Sequence, residues 1–179
     1  MRLLFAAGLM ALAAACSPAV PAGPTAEDIA TESKKLTDYL NAEFEEELAM
    51  NPMMLTQMGR KELYDQLGGF SEADVSKQLE WRRESVAGMK AAIDPAKLND
   101  DAKTSWAIWE SELDRSELRA AWQRHSYVYA YGGPHTDLPN FLITYHKVEA
   151  PSDIDAYISR IALLGPAIDQ FTERAKLAV

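Results

Sequence analysis

Histidine is the usual general base or metal ligand near neutral pH, and this chain has three, His125, His135 and His146. No histidine is followed by glutamate, so the His-Glu-x-x-His pattern of zinc hydrolases is absent. His146 and Glu149 stand three apart, the reverse of the Glu-x-x-His pairs in di-iron bundles, but Pro151 follows too closely to support a helix there. Their pattern points to surface or hydrogen-bonded roles ahead of metal binding. Glu43, Glu45, Glu46 and Glu47 place four carboxylates on one helix, where adjacent residues point apart, so a solvated face is expected ahead of a cation site. Trp106, Trp109 and Trp122 have helical spacing that suits core packing better than an aromatic ligand box. Nucleophile-elbow, phosphate-loop and dinucleotide glycine motifs are missing. The segment from Tyr127 to Tyr145 is the remaining candidate. Its Tyr131, His135, Asp137, Phe141 and Tyr145 combine polar tips with a glycine- and proline-bearing backbone able to line a cleft. The competing reading is a long connector between helices.

Cys16, the only cysteine, directly follows the apolar run Leu3 to Ala15, which has Arg2 ahead of it. A charged start, a short apolar run and a small-residue exit match a secretory signal peptide, and the run is too short to span a membrane. A cysteine at that exit resembles the lipobox of bacterial lipoproteins, although Leu12 stands one residue further back than the usual position, held here by Ala13. Plain secretion with an incidental cysteine is the alternative. The lipobox reading implies a signal peptide over 1–15, a lipidated tether over 16–24 and a folded domain over 25–179. Ser17, rather than aspartate, resembles lipoproteins sent to the outer membrane, which places the protein on its periplasmic side in the bacterial envelope.

Charge excludes other classes. The chain has 27 acidic against 18 basic residues, a formal charge of −9, and a processed chain would also lose Arg2. It has no basic face for nucleic acid and no electrostatic attraction to anionic lipid. Membrane attachment must come through the lipid on Cys16. With no second cysteine for a disulfide, the fold rests on its core, and 47% apolar residues supply one.

The elements that position these residues read as helices. Thr25 and Asp28 form a capping box ahead of Ile29, Leu36, Leu40, Phe44 and Leu48. Asn51-Pro52 interrupts the pattern, a short helix through Met53–Met58 is expected to end near Gly59, and residues 65–70 form a loop. Ser71 and Asp74 cap a third helix with Val75, Leu79, Val86, Met89 and Ile93 in its stripe, ended by Asp94-Pro95. A fourth begins at Asn99 or Asp100; Leu118 and Trp122 flank its main face and predict packing on two sides. Tyr127 to Pro139 reads as a connector and 140–146 as one or two helical turns. Ser152, backed by Asp155, is expected to cap a last helix with Ile154, Ile158, Ile161, Leu164, Ile168 and Phe171 facing the core and Gly165-Pro166 kinking or splitting it. No alternating β-branched runs occur. The fold class is all-α, an antiparallel helical bundle-like assembly.

Several motifs resemble the bacterial domain-of-unknown-function-885 family. Phe44 to Pro52 with Thr56 and Gly59, then Tyr64-Asp65, then Ala92 to Leu98, Gly133 to Leu142 and Ile154 to Arg160 occur in that family's order. The resemblance covers roughly residues 35–177. It implies a longer helical envelope protein that looks like a zinc metallopeptidase, through a distal His-Glu pair followed by Pro-Gly-His, where metal would activate water for peptide hydrolysis. Gly133-Pro134-His135 has the wrong order, so no catalytic residue transfers and no cofactor is assigned to this chain. The expectation is an N-terminal helical portion, inactive alone, whose peptide substrate would be handled through the remainder. The uncapped helical pattern at Ala178-Val179 is expected to continue. A self-sufficient helical lipoprotein that binds a peptide or partner protein is the second reading.

Overall fold

The computed structural model describes residues 23–125 and 128–177; the signal segment, Cys16, most of the tether and Tyr127 lie outside the described residues. Six α-helices account for most of the described chain, and no strand is present among those residues. They are α1 (Ala26–Ala49), α2 (Pro52–Gln57), α3 (Glu72–Ala92), α4 (Asp100–Ala121), α5 (Pro134–Tyr145) and α6 (Pro151–Lys176).

Local chemistry sets most boundaries. Thr25 and Asp28 exchange side-chain and backbone hydrogen bonds to start α1, and Ser71 and Asp74 do the same for α3. Asn51 accepts from Met54 N at 3.2 Å with Pro52 at the first helical position, and Asn99 accepts from Ala102 N at 2.8 Å to open α4. Gly59, at φ 80°, adopts the left-handed conformation that ends α2. Gly69 is needed for space, because a Cβ there would lie 2.1 Å from the carboxyl carbon of Asp74, inside the α3 cap.

Helices α1, α3 and α4 form one layer of the molecule. Arg83 pairs with Glu117 and Lys90 with Glu110, which fixes α3 antiparallel to α4. Tyr39 donates to Ser85 O at 2.7 Å and Glu47 meets Arg82, which fixes α1 antiparallel to α3. Their core is Leu36, Met89, Ile93, Leu98 and Ala102, with Tyr39, Leu40, Trp106 and Trp109 around it. A second core joins α5, α6 and the 59–70 loop through Leu67, Phe141 and Leu142, backed by Met53, Phe70, Tyr157 and Leu164.

Several expectations change. Helix α4 packs on one side only: Ile108, Leu118 and Trp122 are 58, 63 and 60% exposed, because α1 and α3 cover a single face. Trp122 is thus a surface residue while Trp106 and Trp109 pack on the core. Helix α5 starts at Pro134 rather than near residue 140, since Gly133-Pro134 serves as N-cap and first helical residue. Pro139 lies within it, and α6 likewise runs through Gly165-Pro166 as one helix. Each proline removes a single backbone donor.

The last change concerns which face of α6 is inside. Asp153, Arg160, Ala167 and Arg174 are buried at seven-residue spacing, with Tyr157, Leu164 and Phe171 half-buried between them. Ile154, Ile158 and Ile161 each sit one residue further on, a turn of roughly 100° about the helix axis. They are 49, 58 and 48% exposed. The start of α6 is held by Asp153, which accepts from Glu149 N and Ala150 N at 2.9 Å, and not by Ser152. No helix among the described residues is long and apolar enough to cross a membrane.

Candidate functional site

Three arginines, Arg82, Arg160 and Arg174, lie inside this molecule, and the surroundings of the first two differ most. Arg160 on α6 is wholly buried, and no carboxylate pairs with it among the described residues. Each nitrogen of its guanidinium has a partner. Nε donates to Gln66 O at 2.8 Å, Nη1 to His146 Nδ1 at 3.1 Å, and Nη2 to Thr56 Oγ1 at 2.7 Å with Leu63 O at 3.4 Å. Tyr64 and Phe141 offer their rings at 4.9 and 5.4 Å. Burial pushes the guanidinium below its usual pKa, with Tyr64 and Asp65 opposing, but arginine stays charged in proteins.

That charge decides the state of His146. Its Nδ1 accepts from Arg160, so the proton sits on Nε2, which donates to Asp153 O at 2.9 Å. Burial first, then the Arg160 charge, hold the imidazole below its ordinary pKa, against a raising backbone hydrogen bond from Asp153. The Tyr64 ring stacks on it at 4.0 Å, while Tyr64 Oη donates to Lys147 O at 3.0 Å and accepts from Lys147 N at 2.8 Å. Beside it, Lys61 bridges Asp153 and Glu149 at 2.8 Å, and this bond with two backbone N–H groups holds the Asp153 carboxyl down to about 2. With both ring nitrogens engaged, His146 has neither a free lone pair for a metal nor an open base. This cluster joins α2, α6 and the loops on either side, and its chemistry is structural.

Arg82 on α3 is the other case, 7% exposed and set in a cleft of about 560 Å³ between α1, α3, the end of α4 and Arg174 of α6. Its guanidinium lies 4.7 Å from the Trp81 ring and 4.4 Å from the Trp109 ring, and Nη2 pairs with Glu47. Nη1 has no partner among the described residues. Gln123, in a one-turn helix after α4, also lines the cleft and leaves its buried Oε1 unpartnered. Arg119 joins Glu112 at 3.4 Å, and Arg174 donates to Phe70 O at 3.0 Å. Among the described residues, the lining holds no histidine, no cysteine and no unpaired carboxylate. It is equipped to bind.

The residues nominated from the sequence are spread out. Tyr131 is fully exposed, Asp137 is exposed on the first turn of α5, and Tyr145 is 42% exposed at its end. Phe141 is buried in the α5–α6 core, with the Tyr145 ring 5.9 Å from its own. His135 is half-buried with Nδ1 3.1 Å from Val128 O, and His125 is exposed against Trp122. None of them lines the Arg82 cleft. Three carboxylates of the acidic run take separate partners: Glu45 meets Arg60, Glu46 meets Trp81 Nε1 and Glu47 meets Arg82. Among the described residues, no three His, Cys, Asp or Glu side chains gather as metal ligands. The side chains present therefore do not fit the zinc site that the family resemblance implies for longer relatives.

Arg82, Gln123 and Arg160 were not singled out from the sequence. One signal was available for the arginines: each is a charged residue in a buried helical seam, Arg82 between Leu79 and Val86 and Arg160 between Tyr157 and Leu164.

An all-α protein with a cleft between α1, α3 and α4 and a charged internal seam is the class that this geometry defines. The family model described as "Bacterial protein of unknown function (DUF885)" matches residues 52–179, and the chain belongs to that family. The match begins at Pro52, so α1 and its Phe44 to Asn51 motif lie ahead of it. Nothing among curated proteins or solved structures matches the chain.

Proposed function

We propose that this chain is the lipid-anchored helical portion of a bacterial envelope protein, held through Cys16 on the periplasmic side of the outer membrane. In the whole protein it walls a peptide cleft beside a metallopeptidase-like, zinc-dependent part and breaks no bond itself. The observation that carries this reading is the outward isoleucine row of α6. Ile154, Ile158 and Ile161 lie beside a seam that buries charged residues, so this helix turns apolar side chains outward and charges inward. Such a face fits one that a further helical layer covers. Family membership over residues 52–179 agrees with it.

The second reading, a self-sufficient helical lipoprotein that binds a peptide or partner protein, is favoured by the Arg82 cleft, which has unpartnered polar atoms of its own.

Residues 25–179 alone are expected to aggregate or melt broadly, and Ile158→Lys to relieve the aggregation. A sharp, two-state, monomeric transition favours the self-sufficient reading. Labelled palmitate should enter the wild type and not Cys16→Ser; incorporation that survives the substitution refutes the anchor. Zinc-dependent peptide hydrolysis by this chain would refute its inactivity.

A further inference from the structure

Arg82 Nη1 and Gln123 Oε1 are the two buried side-chain atoms without a hydrogen-bond partner among the described residues, and both belong to side chains that line one cleft. Folded proteins seldom leave such atoms unanswered, because each has given up water and received nothing in return. Arg82 cannot easily swing away to find a partner. Its guanidinium is held between the Trp81 and Trp109 rings and tied through Nη2 to Glu47, which leaves Nη1 fixed and unused. A ligand that satisfies both atoms needs an acceptor for a cationic N–H and a donor for an amide oxygen.

The lining narrows the chemistry further. Arg82, Arg119 and Arg174 face Glu47 and Glu112, a positive excess in a chain whose formal charge is −9. This is a local attraction for an anion. Glu47 already holds Arg82, and Glu112 holds Arg115 at 2.8 Å and Arg119 at 3.4 Å, so no free carboxylate waits for an ammonium group. The donor that meets Gln123 is therefore a neutral N–H. Val75, Leu79, Trp81 and Trp122 supply apolar wall. A volume of about 560 Å³ suits a small ligand.

We propose that this cleft binds a small N-acylated amino acid, whose carboxylate accepts from Arg82 Nη1 and whose amide N–H donates to Gln123 Oε1. The apolar side chain and acyl group lie against Trp81 and Trp122. The site stands apart from the isoleucine face of α6, so the binding reading and the envelope reading fail independently.

The test is a titration of the full chain in detergent with N-acetyl-L-leucine, followed by tryptophan fluorescence and thermal shift. Saturable binding is expected between about 10 μM and 5 mM, the range open to a ligand of this size. N-acetyl-L-leucinamide lacks the carboxylate and free L-leucine carries a charged amine, so each should bind at least about ten-fold more weakly, the loss of one good polar contact. Arg82→Met should weaken N-acetyl-L-leucine by about ten-fold or more, and Gln123→Ala by about three- to ten-fold. Should Arg82→Met fail to fold, Gln123→Ala on its short surface turn and the three ligands on wild-type protein decide the matter. Equal binding of acid and amide, wild-type binding by Gln123→Ala, tighter binding of inorganic phosphate, or no saturable signal up to about 50 mM would each overturn the assignment.

Discussion

Arg82 and Arg160 are both more than nine-tenths buried, yet one is finished by its protein and the other is not. Around Arg160, backbone carbonyls, a threonine hydroxyl and a neutral histidine answer every guanidinium nitrogen. Around Arg82, two indoles and one glutamate hold the group in place and leave Nη1 buried and unanswered, in a side chain that lines a cleft. Burial alone therefore does not mark a functional arginine. A buried cation whose partners all come from the protein is a structural tie, because its removal strands those partners. A buried cation with a spare donor at a cleft is poised for something outside the chain.

The largest effect that sharpens this contrast is Arg160→Met. It strands His146 Nδ1 and the Gln66 carbonyl and takes one donor from Thr56 Oγ1 and Leu63 O, which keep Pro52 O and Gln66 N as partners. The expected loss is about 3–5 kcal/mol, read as a melting temperature lower by roughly 10 °C. Thr56→Val keeps the shape and removes the acceptor 2.7 Å from Nη2 together with the hydroxyl's own donation to Pro52 O at 3.0 Å. Urea unfolding should show a loss of about 1–2 kcal/mol, and no measurable loss would mean that the hydroxyl is dispensable to the cluster.

Acid should loosen the Arg160 side in two stages. His146 has a folded pKa below its ordinary 6.5, so the fold favours the neutral ring. Its contribution is complete above pH 6.5 and is lost as pH falls through the folded value. Asp153 has a folded pKa of about 2 against 3.8, so a second loss runs from about pH 4 toward pH 2. Unfolding free energies across pH 7 to 2 check both, with His146→Gln removing only the first stage. Stability that rises as pH drops through 6 would contradict the neutral histidine.

The smallest effect concerns Leu63, whose φ of 53° is left-handed for a branched residue while its carbonyl meets Arg160. Asparagine tolerates that conformation better, so Leu63→Asn should gain about 0.5–1 kcal/mol in urea melts. A loss there would show that the contacts of the leucine side chain outweigh the backbone strain.

What the sequence made legible follows the range of the interactions. The boxes Thr25–Asp28 and Ser71–Asp74 and the Asn99 cap act within three residues, and they stand where local pattern predicts. The all-α class was equally plain from periodicity. In α6 the pattern of apolar residues points to Ile154, Ile158 and Ile161, yet the buried seam runs one residue away through Asp153, Arg160 and Arg174. Counting apolar residues cannot find a seam whose charged groups find their partners some ninety residues away, such as Gln66 O for Arg160 and Lys61 for Asp153. Gly132-Gly133-Pro134 looked like a connector, although Gly-Pro is also a proper helix start, and α5 uses it that way. Arg82 was hidden for the reason that hid Arg160. A charged residue in mid-seam interrupts the apolar count, and only the tertiary fold shows whether anything satisfies it.

Urea unfolding of Arg82→Met and Arg160→Met, run side by side without ligand, tests the contrast most directly. Arg82→Met gives up stacking on two indoles and a part-exposed ion pair but also removes an unanswered buried donor, so it should stay within about 1 kcal/mol of wild type. Arg160→Met should fall by about 3–5 kcal/mol. Equal losses in the two variants would mean that Arg82 is as much a structural tie as Arg160, and that its spare donor marks no site.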